Sequence, residues 1–182
     1  YPQKQLAAHL LGYLNMAGPE DLKHGYKHGD YVGRSGIEQK LEAKLRGNPG
    51  FERIFVDAHG RRKRENQLGE MAQLAPQEMR RDPQPGANAV LTIDLQLQRI
   101  VEEALSRHAS AAAAVIEADT GRVLALASYP TADPNLLSGR LSRGEAQRME
   151  SDPFRPLLDK ALRETYYPGS TFKIIPALAA LE

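Results

Sequence analysis

Ser170 and Lys173 are the residues of this sequence whose types and spacing best fit a chemical task. They stand three apart in Pro168-Gly169-Ser170-Thr171-Phe172-Lys173. On a helix that spacing puts both side chains on one face, a turn apart. A serine hydroxyl is a poor nucleophile until a base takes its proton. A lysine serves as that base when desolvation or a neighbouring positive charge lowers its pKa. The Pro-Gly pair marks a sharp entry into a helix, whose first turn adds free N–H groups and partial positive charge beside the serine. Those groups suit a developing oxyanion. The four-residue pattern arises by chance in many proteins, but it occurs once in this chain.

Other constellations have ordinary structural explanations. Asp119-Thr120-Gly121 matches the triplet of aspartic proteases, which need two carboxylates sharing a proton. The chain has one copy, and a hairpin turn accounts for all three residues. His24 and His28 stand four apart with His9 upstream, a spacing that could hold zinc on a helix. Gly25 and Gly29 disfavour that helix and no third ligand is evident, so a solvated loop is the reading and no metal is expected. Arg61-Arg62-Lys63-Arg64 is a basic run without interleaved aromatics, read as a solvated strand or turn rather than a nucleic-acid contact. Arg34-Ser35-Gly36 looks like the basic-Ser/Thr-Gly triplet of penicillin-recognising enzymes, but it precedes the serine candidate and reads as a helix entry.

The elements that must position Ser170 follow from periodicity. Asp94 can cap a helix running to about Arg107, with Leu97, Ile100, Val101, Ala104 and Leu105 on one apolar face. Ala111–Ala118 and Arg122–Ser128 read as two strands of a hairpin closed by Asp119-Thr120-Gly121. Val90–Ile93 reads as a short strand. Residues 129–153 read as loop with one short helix near Ser142–Met149. A final helix over Ser170–Glu182 carries Pro176 in its second turn, which would bend or delay it. Upstream, Ile37–Leu45 reads as a helix with Ser35 as N-cap and Gly47 after its end. Phe51–Asp57 reads as a strand closed by a turn at Ala58-His59-Gly60. The Pro/Gly cluster Asp82–Gly86 admits neither helix nor central strand and marks a boundary, with 1–86 and 87–182 as the two segments.

The 182 residues suffice for one domain or two small ones. Hydrophobic residues make up 41% and charged residues 26%, which argues against collagen, coiled coil and wholesale disorder. The net charge of +1 gives no global attraction to nucleic acid or an anionic membrane. With no cysteine, disulfide scaffolds and Cys-ligated metals are excluded. The longest apolar run, Ile174–Leu181, falls short of the roughly 20 residues of a membrane span. A first residue Tyr1 leads us to expect a piece of a longer chain.

Several segments together resemble the class B penicillin-binding proteins. In the second half these are Ala89–Asp94 with Leu97-Gln98, Asp119-Thr120-Gly121 with Val123-Leu124-Ala125, Ser128-Tyr129-Pro130, Asp133-Pro134-Asn135 and Tyr167–Lys173. In the first half Tyr1-Pro2, Ala8–Tyr13, Gly33–Glu38 and Leu45-Arg46-Gly47 are similar to the membrane-proximal pedestal. Ser142–Leu162, and Tyr before Pro-Gly-Ser, look more like the elongation than the septal type. Tyr167 nonetheless departs from the Pro or Glu usual in the family.

The resemblance implies an α+β fold: part of a pedestal over 1–86, then the start of an antiparallel sheet with flanking helices over 87–182. It implies a serine-type peptidoglycan D,D-transpeptidase without a cofactor or metal. Ser170 would attack the penultimate D-alanine of a stem peptide and form an acyl-enzyme, with its own backbone N–H as half of the oxyanion hole. Lys173 would accept the serine proton, a second stem amine would complete the cross-link, and β-lactams would acylate the same serine. Implied partners are peptidoglycan stem peptides, β-lactam antibiotics and a membrane glycan polymerase, at the periplasmic side of the inner membrane. The family's Ser-x-Asn and Lys-Thr/Ser-Gly motifs do not occur in this sequence. The chain by itself is therefore expected to be inactive, with uncovered apolar faces that favour self-association. Rival readings are an interaction module for the glycan polymerase and a β-lactam sensor or serine β-lactamase relative.

Overall fold

The computed structural model describes residues 1–63 and 79–181, and within it the chain forms two compact units. One comprises Tyr1–Lys40 together with Leu91–Glu182, the other Leu41–Val90. Both mix helices with small antiparallel two-stranded sheets, an α+β composition.

The first unit opens with α1 (Ala8–Leu11), β1 (Leu14–Met16), α2 (Pro19–Lys23), β2 (Tyr31–Gly33) and α3 (Gly36–Lys40). Strands β1 and β2 pair antiparallel with Asn15 opposite Val32. Arg34 ties α2 to this pair: its Nη2 donates to Asp21 Oδ2 at 2.6 Å and to the Met16 carbonyl at 2.8 Å. Gly36 does start a helix, as Arg34-Ser35-Gly36 promised. Its φ is +57°, and a Cβ there would lie 2.5 Å from the Leu10 carbonyl oxygen. Only glycine lets α3 begin against the end of α1.

The second unit holds α4 (Glu42–Leu45), β3 (Phe51–Glu52), β4 (Phe55–Val56), β5 (Arg62–Lys63) and β6 (Arg80–Arg81). Two expectations are corrected here. The helix over Ile37–Leu45 is broken, because Leu41 adopts φ −108°, ψ 12° between α3 and α4. The strand over Phe51–Asp57 is two strands: β3 pairs with β6 and β4 with β5, so two different partners divide one apolar run. The turn after it is as expected. The Asp57 carboxylate accepts the His59 and Arg61 N–H groups at 2.9 Å and Arg61 Nε at 2.8 Å. Those bonds, the Arg61 backbone foremost, hold its carboxyl below the ordinary range. Arg62 pairs with Glu52, so Arg61 and Arg62 of the basic run have acidic partners within the unit. Arg64 lies outside the described residues.

The rest of the first unit is α5 (Leu95–Leu105), β7 (Ala111–Ile116), β8 (Val123–Tyr129), α6 (Pro134–Leu137), α7 (Arg143–Ser151), α8 (Lys160–Arg163), a 3-10 turn (Gly169–Lys173) and α9 (Ile174–Leu181). Asp94 caps α5 as its position predicts, accepting from the Gln96 and Leu97 N–H groups at 2.9 Å. The hairpin pairs Ala111 with Tyr129 through Ile116 with Val123, with a bulge between Val115 and Ile116. Asp119-Thr120-Gly121 is its exposed turn. The Glu117 carboxylate there accepts from Arg122 and from the Thr120 hydroxyl. Ser142 and Glu145 form a reciprocal capping box at α7.

Three further expectations change. Val90–Ile93 is not a strand: Val90 is exposed, and beyond it the Thr92 hydroxyl and the Asp94 N–H reach β8, at Val123 and Leu124. The apolar stripe of α5 is only partly its buried face: Leu97, Val101 and Leu105 are half-buried, while Ala104 is exposed. Ile100 is 62% exposed, whereas Gln98 is fully buried. The 129–153 loop holds α6 as well as α7, because Asp133 caps a turn with Pro134 in its first position.

Candidate active site

The path to Ser170 starts at the small-residue core of the hairpin. Ala125 and Ala127 are buried on β8, and small side chains let α5 approach the strand closely. The Gln98 side chain meets the backbone of β8 at Leu126. Its Oε1 accepts the Leu126 N–H at 2.8 Å and its Nε2 donates to the Leu126 carbonyl at 2.8 Å. The amide thus satisfies both polar groups of one strand residue, as another strand would.

Two residues further along β8, Ser128 Oγ accepts the Lys160 N–H at 2.9 Å and donates to the Leu158 carbonyl at 3.2 Å. Asp159 accepts the next two amides of α8, Ala161 and Leu162. Every donor of this first turn therefore has a partner, the Arg163 N–H bonding the Asp159 carbonyl. The Lys160 side chain is folded inward, 3% exposed, with Nζ 3.0 Å from the Arg155 carbonyl. Burial, then the neighbouring Arg155, lowers its pKa. Sequence reading passed over Gln98, Glu102, Ser128 and Lys160 as functional positions. Two signals were present: Gln98 and Ser128 lie in segments that carry the resemblance, and Gln98 and Glu102 stand four apart on one helix.

From α8 the chain runs to Pro168. Gly169 takes φ +55°, which L side chains rarely adopt, and turns the backbone into the 3-10 segment. Thr171 closes that turn, its N–H and hydroxyl both donating to the Pro168 carbonyl. Ser170 and Lys173 lie within this single 3-10 turn. Residues three apart eclipse in that geometry. The sequence predicted helix from Ser170 onward; the α-helix begins only at Ile174, two residues before Pro176. Pro176 has no N–H to give an i−4 carbonyl, so it fits only near the start of an α-helix. Both Ser170 and Lys173 are exposed, and among the described residues no hydrogen bond joins them. Around them Tyr167, Phe172, Ile174, Ile175, Leu178 and Leu181 are also exposed.

The remaining candidates lie elsewhere. A cleft of about 570 Å³ in the first unit is lined by His9, Arg34, Ile37, Leu158 and Arg163, and by neither Ser170 nor Lys173. His9 Nε2 lies 2.9 Å from the Pro156 carbonyl, which can only accept, so Nε2 carries the proton. Burial lowers the His9 pKa. His24 caps the end of α2 and His28 stands in the loop before β2. Among the described residues no group of three or more His, Asp and Glu could hold a metal ion. No helix among them is long and apolar enough to cross a membrane.

Comparison with known proteins places this geometry. Residues 1–91 match the penicillin-binding protein dimerisation domain, and residues 111–182 match the penicillin-binding protein transpeptidase domain. The peptidoglycan D,D-transpeptidase MrdA of Escherichia coli K12 is 34% identical over a 189-residue alignment that covers all of this chain and 28% of the relative. Among solved structures, the PBP2 of Helicobacter pylori in complex with MreC matches with TM-score 0.80 and 28% identity, over the whole chain and 32% of its own. Pseudomonas aeruginosa PBP2 in complex with WCK 5153 matches with TM-score 0.74 and 32% identity, over the whole chain and 34% of its own. The chain thus spans roughly a third or less of the relatives it matches.

Proposed function

The chain belongs to the penicillin-binding proteins, on the class B elongation branch, and on that premise we propose that its gene product is a serine-type peptidoglycan D,D-transpeptidase. The observation that carries this reading is the placement of Ser170 and Lys173 in one 3-10 turn inside the transpeptidase match. Ser170 Oγ attacks the carbonyl of the penultimate D-alanine, and its proton passes to Lys173. The terminal D-alanine leaves with a proton, giving an ester on Ser170. The amine of a second stem peptide then attacks that ester, forms the cross-link and frees the serine. The Ser170 N–H supplies one oxyanion donor. β-Lactams open on the same serine and remain as a stable ester.

In this reading 1–86 is the pedestal part and 87–182 the first part of the transpeptidase domain. The protein works at the periplasmic face of the inner membrane, beside a membrane glycan polymerase. The relative whose structure was solved in complex with MreC supports an MreC-like partner as well. The 182-residue chain alone is inactive, because a missing oxyanion donor costs about 10²–10³ in rate, and the sequence carries neither Ser-x-Asn nor Lys-Thr/Ser-Gly.

The test is covalent labelling by a fluorescent penicillin. The full-length gene product should label, Ser170→Ala should not, and Lys173→Ala should label about 10²–10⁴ times more slowly, the usual worth of a general base. Labelling that survives Ser170→Ala overturns the assignment, and rapid labelling of the 182-residue chain overturns its inactivity.

A further inference from the structure

The helix α5, Leu95–Leu105, falls between the two matched regions, after residue 91 and before residue 111. It nonetheless bonds to both. Gln98, fully buried, holds the Leu126 N–H and carbonyl on β8, inside the transpeptidase match. Its Nε2 also donates to Glu102 Oε1 at 2.7 Å, one turn further along the helix. The same Glu102 oxygen accepts the Ala7 N–H at 2.7 Å, inside the dimerisation match. The chain of bonds is therefore Ala7 to Glu102 to Gln98 to Leu126, and it runs beside direct bonds between the two matched segments at Tyr1–Asn135, His9–Pro156 and Asn15–Leu137.

We infer that Gln98 and Glu102 are a positioning latch that registers the N-terminal segment on the transpeptidase hairpin. Each bond constrains the next. Gln98 Nε2 donates one N–H to the Leu126 carbonyl and the other to Glu102, so one side-chain orientation makes both bonds. Ala7 marks the other end: it is buried, at φ +56°, just before α1. A non-glycine residue in that conformation persists only where its surroundings over-determine it, and the carboxylate on its N–H is one such restraint. Coupling of this kind is reciprocal, so loosening either end loosens the other. Through Ser128 the restraint continues to α8, the last helix before the Ser170 turn. The effect on catalysis rests on the Ser170 assignment above, while the latch itself does not.

The experiment is hydrogen exchange by mass spectrometry on the full-length gene product, comparing Glu102→Leu with Glu102→Gln. Glu102 is half-buried, so neither change forces the helix to unfold. Peptides covering Ala7 and Leu126 are followed, with those of α7 as the internal control, since α7 shares no bond with the latch. Glu102→Leu should raise exchange about tenfold at Leu126 as well as at Ala7, with α7 unchanged. Glu102→Gln keeps an accepting oxygen and should leave both protected. Penicillin labelling should slow several-fold in Glu102→Leu alone. The latch is overturned if Leu126 keeps its protection in Glu102→Leu, or if Gln is as harmful as Leu. If the parent protein fails to label at all, the Ser170 assignment falls while the exchange data still decide the latch.

Discussion

Two stretches of the first unit meet opposite fates. In α5 with the β7–β8 hairpin, polar groups find partners inside the chain: Gln98 at Leu126, Asp94 at the α5 amides, Ser128 at Lys160. In Tyr166–Leu181, which carries the Ser-x-x-Lys turn, the large apolar side chains stay exposed. The first stretch is tied together by side-chain-to-backbone hydrogen bonds, although Leu95, Ile100 and Ile116 are exposed there too. On the proposed function, the contrast locates stability in the first stretch and the chemistry in the second.

Paired substitutions test that division most strongly. Ser170→Ala should abolish penicillin labelling of the full-length protein and leave its melting temperature unchanged, because Ser170 is exposed. Ser128→Ala should do the reverse to stability, orphaning the buried Lys160 N–H at a cost of about 1–3 kcal/mol. Equal melting temperatures for the two variants would erase the distinction. A smaller effect belongs to Asp94→Ala, which removes the α5 cap and should cost about 1 kcal/mol, read by denaturant unfolding.

Smaller still is a pH effect at His9. Its folded-state pKa lies below 6.5, because burial penalises the charged ring. The unfolded chain then binds the proton more readily. Stability conferred by this site is present above about 6.5 and is lost as pH falls from there through the folded value. His9→Gln, which can still donate to Pro156, should flatten that part of the pH–stability curve, and an unchanged slope would refute the assignment. The smallest change is expected from Arg122→Ala. The Arg122–Glu117 pair sits at the exposed hairpin turn, where ion pairs contribute little, so a shift as large as that of Asp94→Ala would be unexpected.

Legibility followed the range of the interactions. The Asp94 cap, the hairpin with its Asp-Thr-Gly turn and the short helix near Ser142–Met149 are set by residues within a few positions, and each is where the sequence puts it. So is the turn that carries Ser170 and Lys173, apart from its 3-10 winding ahead of Pro176. Two of the misreadings involve distant partners. Phe51–Asp57 has strand composition throughout, but β5 and β6 take different halves of it. The α5 stripe has helical periodicity, but packing on β8 centres the buried face on Gln98 and leaves Ile100 exposed. No local signal marks Leu41 as a break.

The sequence by itself determined the helix starts, the turns, the Ser-x-x-Lys spacing and the family, because each rests on residue types at short fixed spacings. The tertiary structure alone decided that a glutamine would fill the interior beside β8 and that a glutamate would hold the Ala7 amide, 95 residues away in sequence. A buried amide is stable only where a donor and an acceptor stand ready for it. Those groups belong to the backbone of Leu126, which offers them to Gln98 only after the hairpin and α5 have packed together.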